Sequence, residues 1–298
     1  EIEVRRLRQL AGDDPILGHL KGASRYQATI DLARDGPRIR VESDLAGIAS
    51  DLPSPMAKSV DTRWPFLLQL APRPGGDRID ASLRGEILVA VERDRVDPRK
   101  PMQLARGALA FNRQPALPDR GVSLQYTGQR LDLDEWLAAL AGPAGRSGPD
   151  RTRIQPKGEG GWLQPGGEAA PMTVSLVADE VRVAGRNFNK VVLGASRTSG
   201  QWVANLATRE INGHLSWTGQ TIAGGKLTAR LGRLEIPRSQ RSEAEALAAE
   251  GPSALPALDV TADRFVFGGL DFGALSLSAT NQGILHGATQ ASGGGAWR

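Results

Sequence analysis

Apolar and polar side chains alternate along much of the first half of the chain, with the two-residue period of a β-strand that has one face in water. Ile39 and Val41 alternate with charged residues between positions 38 and 43, and Ile79 and Leu83 continue the pattern further on. The same reasoning predicts strands at residues 86–92 and 104–111, although residues 87–91 are apolar on both faces. The first half is therefore predicted to be mainly β-sheet.

One short helix is predicted at residues 132–140. Asp132 or Asp134 can cap its first turn, and Trp136, Leu137 and Leu140 form an apolar stripe at helical spacing. The helix stops at a Gly-Pro pair. Residues 47–58, which contain two prolines, are predicted to be an irregular crossover.

Glycine and proline divide the chain into segments. They fill 13 of the 30 positions of residues 142–171, too many for a packed element, so this stretch is predicted to be a linker or loop between segments 1–141 and 172–298. A second break at 238–256 contains a Glu/Ala-rich stretch, which is either a surface helix or a loop.

The second segment contains an internal repeat. Residues 174–197 align without a gap on residues 258–281, and Ala178-Asp179 falls on Ala262-Asp263. In both copies the apolar alternation shifts by one position just after these pairs, which predicts a bulge or bend. Each copy is expected to belong to a β unit of four to six strands that stacks on its neighbour.

Composition and charge exclude several classes of protein. The chain has 36 Gly and 19 Pro, which suit short strands and turns, and no Cys, which excludes disulfides, zinc ribbons and thiol nucleophiles. A net charge of +4 is too weak for a nucleic-acid partner. Two hypotheses explain the excess of Arg over Lys. It follows from a GC-rich genome, or it provides Arg side chains that contact lipid phosphates at a membrane surface.

No apolar run is long enough to span a bilayer, and no signal peptide is visible. Because the chain opens with Glu1, we expect a piece of a longer protein whose targeting and anchoring segments lie elsewhere.

The spacing of residue types that commonly act in catalysis does not indicate a catalytic site. His19, His214 and His286 are far apart and have no second ligand at metal spacing, and His214 is expected on a strand surface. Neither a nucleophile elbow nor a phosphate loop is complete. We therefore expect no enzyme activity, no catalytic residue, no metal and no cofactor.

Several stretches in order resemble the YhdP-type members of the AsmA-like family of Gram-negative envelope proteins. They are Ser43–Gly47, Leu52–Lys58, Pro115–Pro118 with Gly121, Leu131–Trp136, and Leu255–Asp259 followed by Phe265, Gly269 and Asp271–Gly273.

The resemblance implies an elongated, curved antiparallel sheet that forms an apolar groove of the repeating β-groove type. It also implies a periplasmic location, an anchor in the inner membrane, and a role in moving phospholipid between the inner and outer membranes during outer-membrane biogenesis. We expect the anchor and the terminal membrane-contact segment of the family pattern to lie outside this piece, and its linker at 142–171 is longer than the pattern implies.

The expected function is to shield phospholipid acyl chains in the apolar groove, with contacts to both membranes made by segments outside this chain. The alternative is a structural or adaptor β module of the cell envelope that binds other proteins. A carbohydrate-active β-solenoid is a third possibility, for which the sequence offers few clustered carboxylates or aromatic platforms. The predicted groove lining is Ile39, Val41, Ile79, Leu83, Val181, Val183, Val191, Leu193, Phe265, Phe267, Leu275 and Leu277.

Overall fold

The computed structural model describes residues 1–11, 14–97, 99–141, 170–219, 225–236 and 256–280. Within these ranges the chain forms three helices and seventeen strands. The helices are α1 (Val4–Ala11), α2 (Pro15–Gly18) and α3 (Leu133–Leu140). The first nine strands are β1 (Ile2–Glu3), β2 (Leu20–Ser24), β3 (Gln27–Ala33), β4 (Gly36–Ser43), β5 (Ile48–Ser50), β6 (Phe66–Arg73), β7 (Gly76–Leu83), β8 (Ile87–Asp94) and β9 (Gln103–Phe111). The other eight are β10 (Gly121–Asp132), β11 (Met172–Val183), β12 (Arg186–Thr198), β13 (Gln201–Ala207), β14 (Ile211–Thr218), β15 (Lys226–Ile236), β16 (Ala257–Phe267) and β17 (Leu270–Ala279).

Fourteen of these strands form one curved, open sheet. Its order runs from β3 and β4 through β6 and then, without interruption, to β17, so almost every strand lies beside its neighbour in sequence. The sheet is rich in antiparallel pairs and is not closed into a barrel. The prediction of a mainly β, elongated and curved antiparallel sheet is confirmed.

Three neighbouring pairs are parallel: β9–β10, β10–β11 and β15–β16. Parallel pairing means that both strands of a pair begin at the same edge of the sheet. From the second of these pairs to the third, the strands β11 to β15 follow one another in antiparallel pairing. The two copies of the sequence repeat therefore occupy equivalent places, since β11–β12 and β16–β17 are each the hairpin that follows a parallel pair. Asn281, the last residue of the second copy, lies outside the described residues.

A bend crosses the sheet where the repeat shifts its alternation. In β11–β12 the register omits Asp179 and Lys190, and Lys190 has a positive φ of 55°. In β16–β17 the register shifts between Ala262 and Phe265. The bend lets apolar residues on both sides of it point toward the same side of the sheet, as the shifted alternation predicts.

A smaller unit lies at the start of the chain, and we call it the cap (residues 1–11, 14–24 and 44–65). Its three-stranded sheet has the order β1–β2–β5, and its core contains Val4, Ile48, Leu52 and Trp64, all 8% exposed or less. The Arg8 guanidinium fastens α1 to the carbonyl oxygens of Leu17, Gly18 and Leu20.

Helix α3 connects the cap to the large sheet. The Trp136 indole nitrogen donates to the carbonyl oxygen of Ser54, 3.0 Å away, and His19 Nε2 lies 3.0 Å from the carbonyl oxygen of Ala139. At its other end, Asp134 accepts hydrogen bonds from the backbone nitrogens of Ala184 and Gly185 in the β11–β12 turn. The helix is thereby held between two distant parts of the chain.

The sequence predicted α3 and its position correctly. Asp132 is its N-cap and accepts a hydrogen bond from the backbone nitrogen of Glu135. The expectation that residues 47–58 hold no regular element was wrong, because β5 pairs with β2 there. The sequence interpretation also missed α1 and α2, since α2 is four residues long and α1 carries three Arg in eight positions. The linker prediction, apart from Ala170 and Pro171, and the Glu/Ala-rich stretch at 243–250 fall outside the described residues, and the division into segments stays a prediction.

Candidate lipid-binding face

The strand register divides the side chains of the large sheet between two faces, because directly paired residues point to the same side. Ile39 pairs with Leu70, and Leu70 pairs with Ile79, which pairs with Val91. We call the side that carries these residues the apolar face. The opposite side, which carries Arg40 and its neighbours, is called the polar face.

The apolar face continues into the second half of the chain. Leu109 pairs with Leu124, and Leu124 with Val174, across the two parallel pairs. Leu193 then pairs with Leu206, and Leu215 with Ala229. The last steps are Ala229 to Val260 and Val260 to Leu277. One side of all fourteen strands is thus dominated by aliphatic and aromatic residues.

All twelve residues predicted to line a groove lie on the apolar face. The residues before the bend and those after it lie on the same side of the sheet, because Val181 and Val191 belong to one packed cluster with Ala178. Phe265 and Phe267 have ring centroids 6.4 Å apart on the same side. Their common location is a structural observation, whereas their contact with lipid stays a proposal.

The exposure of these residues varies along the sheet. Leu277 near one edge is 45% exposed, and Ile30 and Leu32 on the edge strand β3 are 61% and 86% exposed. Ile39, Val41, Ile79 and Leu83 are partly buried. The apolar surface is therefore open to a ligand near the two edge strands, β3 and β17.

One section of the apolar face is closed. Helix α3 places Leu133 and Trp136 against a cluster that contains Val181 and Val191, each 4% exposed. The Tyr126 ring belongs to this cluster, and a Cβ added at Gly128 would come within 3 Å of that ring. These residues form a small core, and burial raises the pKa of Tyr126.

The polar face carries a network of paired charges. The Glu92 side chain is 10% exposed and accepts a hydrogen bond of 2.9 Å from Arg106, with Arg78 and Arg73 at 3.5 and 3.7 Å. The hydrogen bond from Arg106, together with the positive charges, holds the pKa of Glu92 below its ordinary value. Residues 112–120, which connect the parallel strands β9 and β10, border this face through two hydrogen bonds between Ala116 and Gln125. A cleft of about 650 Å³ lies beside this connection, on the polar side of the sheet.

Charge on the apolar face is confined to the ends of the strands. Asp77 and Arg93 form a bidentate pair there, with nitrogen–oxygen distances of 2.8 and 2.5 Å. Along the same line of strand ends, Arg197 lies beside Trp202, and Trp202 pairs with Trp217. Local sequence patterns do not reveal this group, because its members lie on different strands and only the register brings them together.

The histidines show no sign of a shared site. The His214 ring lies on the exposed surface of β14, as predicted, with Nδ1 3.0 Å from Asn205 Oδ1. His19 contacts Asp51 and α3, and His286 lies outside the described residues. Among the residues that the structure covers, no three His, Cys, Asp or Glu side chains are grouped as metal ligands would be.

In the described residues, a single curved sheet with one continuous apolar face, of which α3 covers one section, is the architecture of a β-groove protein. The chain matches the YhdP protein family over residues 2–285. It therefore belongs to the YhdP family of AsmA-like proteins, as its sequence resemblance indicated. Membership supports a role of the lipid-transport type in general terms.

Comparisons with curated proteins and with solved structures found no match. Within the described ranges, no helix combines the length and apolar character needed to cross a bilayer.

Proposed function

We propose that this chain shields phospholipid acyl chains on the apolar face of its sheet while the lipid passes between the inner and outer membranes. The observation that carries the proposal is the continuity of that face across fourteen strands, with Leu32, Ile30 and Leu277 exposed near its two edges. Contact with the two membranes belongs to segments outside this chain, and the chain is the periplasmic part of an inner-membrane-anchored protein.

The energetics favour a passive surface over a catalyst. Each CH₂ group that leaves a bilayer for water costs about 0.8 kcal/mol, which amounts to a barrier on the order of 10 kcal/mol for one acyl chain. An apolar surface that follows the lipid lowers this barrier without any chemical step. No catalytic group is required, and the proposed role is therefore not enzymatic.

The size of the sheet suits such a ligand. Thirteen spacings between adjacent strands, at about 4.8 Å each, give a length of roughly 60 Å. The hydrocarbon core of a whole bilayer is about 30 Å thick, so the chains of one leaflet are about half of that. The groove is therefore long enough to hold several lipids in line.

The proposal predicts that charge placed on the apolar face blocks lipid uptake. In the double variant Ile79→Glu, Leu277→Glu, two carboxylates would face the acyl chains, and burying them against hydrocarbon should lower uptake roughly tenfold. Uptake is measured by mass spectrometry of the purified chain after incubation with phosphatidylethanolamine/phosphatidylglycerol vesicles. The matched control, Ser82→Glu with Ser276→Glu, puts the same charges on the polar face of the same two strands.

Equal uptake by both double variants would contradict the proposal. A wild-type chain that acquires no phospholipid, together with capture of a defined envelope protein, would instead favour the structural or adaptor alternative.

A further inference from the structure

We infer that Arg197, Trp202 and Trp217 form a binding site for the phosphate diester of a glycerophospholipid, at the edge of the apolar face. We call these three residues the rim site. The inference rests on the proposed function and adds to it the place where a lipid headgroup is held.

The rim site combines an arginine with two tryptophans. Arg197 pairs with Trp202 across β12 and β13, and Trp202 pairs with Trp217 across β13 and β14. The Arg197 guanidinium carbon lies 5.6 Å from the centroid of the Trp202 ring, within the range of a cation–π contact. All three side chains are partly buried.

The hydrogen-bonding capacity of Arg197 is largely unused. Among the described residues, its buried Nε has no acceptor, and its Nη2 has only the carbonyl oxygen of Ala170 at 3.4 Å, close to the limit of a hydrogen bond. No carboxylate of the described residues pairs with it. Most buried polar groups in proteins do have a partner, so an Arg fork in this state is available to accept an anionic ligand.

Arg93 and Arg197 differ in their hydrogen-bond partners. Arg93 lies at the same edge of the apolar face, but Asp77 satisfies it with two hydrogen bonds. Among the described residues, one arginine of this edge is therefore neutralised and the other has no carboxylate beside it. A phosphate diester fits the second, because its two free oxygens match the planar fork of a guanidinium.

The neighbours of the rim site suit the rest of a phospholipid. Ala195 and Leu193 follow Arg197 inward along the apolar side of β12, and Ala204 and Leu206 follow Trp202 along β13. Tryptophan favours boundaries between polar and apolar surroundings, where its indole N–H can find an acceptor. The Trp217 N–H donates to the carbonyl oxygen of Gly219, 3.1 Å away. Acyl chains on the aliphatic floor would thus leave the phosphate beside Arg197.

The test compares lipids with and without phosphate. The full chain is incubated with dodecyl maltoside micelles, which carry no phosphate, that contain either phosphatidylglycerol or diacylglycerol as the only lipid, and bound lipid is quantified. We expect Arg197→Gln to lower phosphatidylglycerol affinity roughly tenfold, because a charge-assisted hydrogen bond is lost, while diacylglycerol binding is unchanged. Arg197→Lys should be intermediate, because it keeps the charge but loses the fork. Arg40→Gln, on the exposed polar face, serves as the control.

A second measurement on the wild-type chain covers the case in which Arg197→Gln does not fold. Phenylglyoxal modifies accessible arginines, and peptide mass spectrometry reports the extent at Arg197. We expect protection by phosphatidylglycerol and none by diacylglycerol.

Other outcomes overturn the inference in distinguishable ways. Equal phosphatidylglycerol affinity of wild type and Arg197→Gln, or equal modification with both lipids, refutes the rim site and leaves the proposed function intact. Protection by inorganic phosphate or glycerophosphate at the same concentration as the lipid assigns the site to a free phosphate instead. A wild-type chain that binds neither lipid refutes the proposed function, and the rim site with it.

Discussion

Charged residues are arranged differently on the two faces of the sheet. On the polar face, Glu92 is surrounded by Arg73, Arg78 and Arg106, so one carboxylate serves three guanidinium groups. On the apolar face, charge is limited to the strand ends, where Asp77 neutralises Arg93. The interior of the apolar face is thereby kept free of charge.

The Glu92 network predicts a pH-dependent stability difference. Glu92→Gln removes the negative charge and leaves three arginines close together, which should lower the free energy of unfolding at pH 7 by about 1–2 kcal/mol. The folded-state pKa of Glu92 lies below its ordinary value of 4.5, so its contribution is complete above about pH 4.5 and is lost as the pH falls through the lowered value.

Urea unfolding of wild type and Glu92→Gln between pH 3 and pH 7 checks this. The gap between the two should be constant from pH 7 to about pH 5 and should narrow below pH 4.5. A gap that widens in acid would show that the sign of the linkage is wrong.

Single positions also show how far the sequence alone can lead. Alternation placed Ile39, Ile79 and Leu275 on one face, because the two-residue period depends only on local sequence. It could not find the pairing of Arg197 with Trp202, which depends on the register between two strands. Nor could it show that α3 covers Val181 and Val191, since that contact is tertiary.

At the level of elements, the bend coincides with a shift of register in two strand pairs, β14–β15 and β16–β17. In β14–β15 the shift falls between Asn212 and Gly213, and Gly213 has a φ of 148°. A Cβ built on Gly213 would lie 2.3 Å from the carbonyl oxygen of Arg230. The two strands approach so closely here that only glycine fits without movement of the backbone.

This close approach predicts unequal effects of two Gly→Ala substitutions. Gly213→Ala should lower the free energy of unfolding by about 2 kcal/mol or more, because the added methyl group overlaps a backbone oxygen. Gly194→Ala, on β12, places its Cβ where no heavy atom lies within 4 Å, and it should be neutral or stabilising by about 0.5 kcal/mol. Thermal and urea unfolding measure both, and equal destabilisation would contradict the described bend.

The elements themselves were predictable where their signals are local. The capping residue Asp132 and the stripe at Trp136 identify α3, and the repeat predicted the shift after Ala178. The cap was missed because its helices are short and its three strands contain two, five and three residues, too few for a periodic pattern. Its stability comes from tertiary packing around Val4 and Leu52.

For the whole molecule, the main consequence of the topology is a face that no layer of the described chain covers from end to end. An ordinary β-sandwich buries such a face against a second sheet. Here α3 covers one section of it, and the apolar side chains near both edge strands remain exposed. Exposed apolar surface of this extent is unfavourable in water, and the proposed lipid ligand would lower that free energy by covering it.

Site-specific photocrosslinking at adjacent residues on opposite faces tests this interpretation most directly. A benzophenone amino acid is placed at Ile39, Leu193 or Leu277 on the apolar face, and in separate variants at Arg40, Val192 or Ser276 on the polar face. After incubation with phospholipid vesicles and irradiation, mass spectrometry identifies covalent phospholipid adducts. We expect adducts at the three apolar-face positions and few at their polar-face neighbours; equal labelling of both faces, or labelling of neither, would contradict a lipid-holding groove.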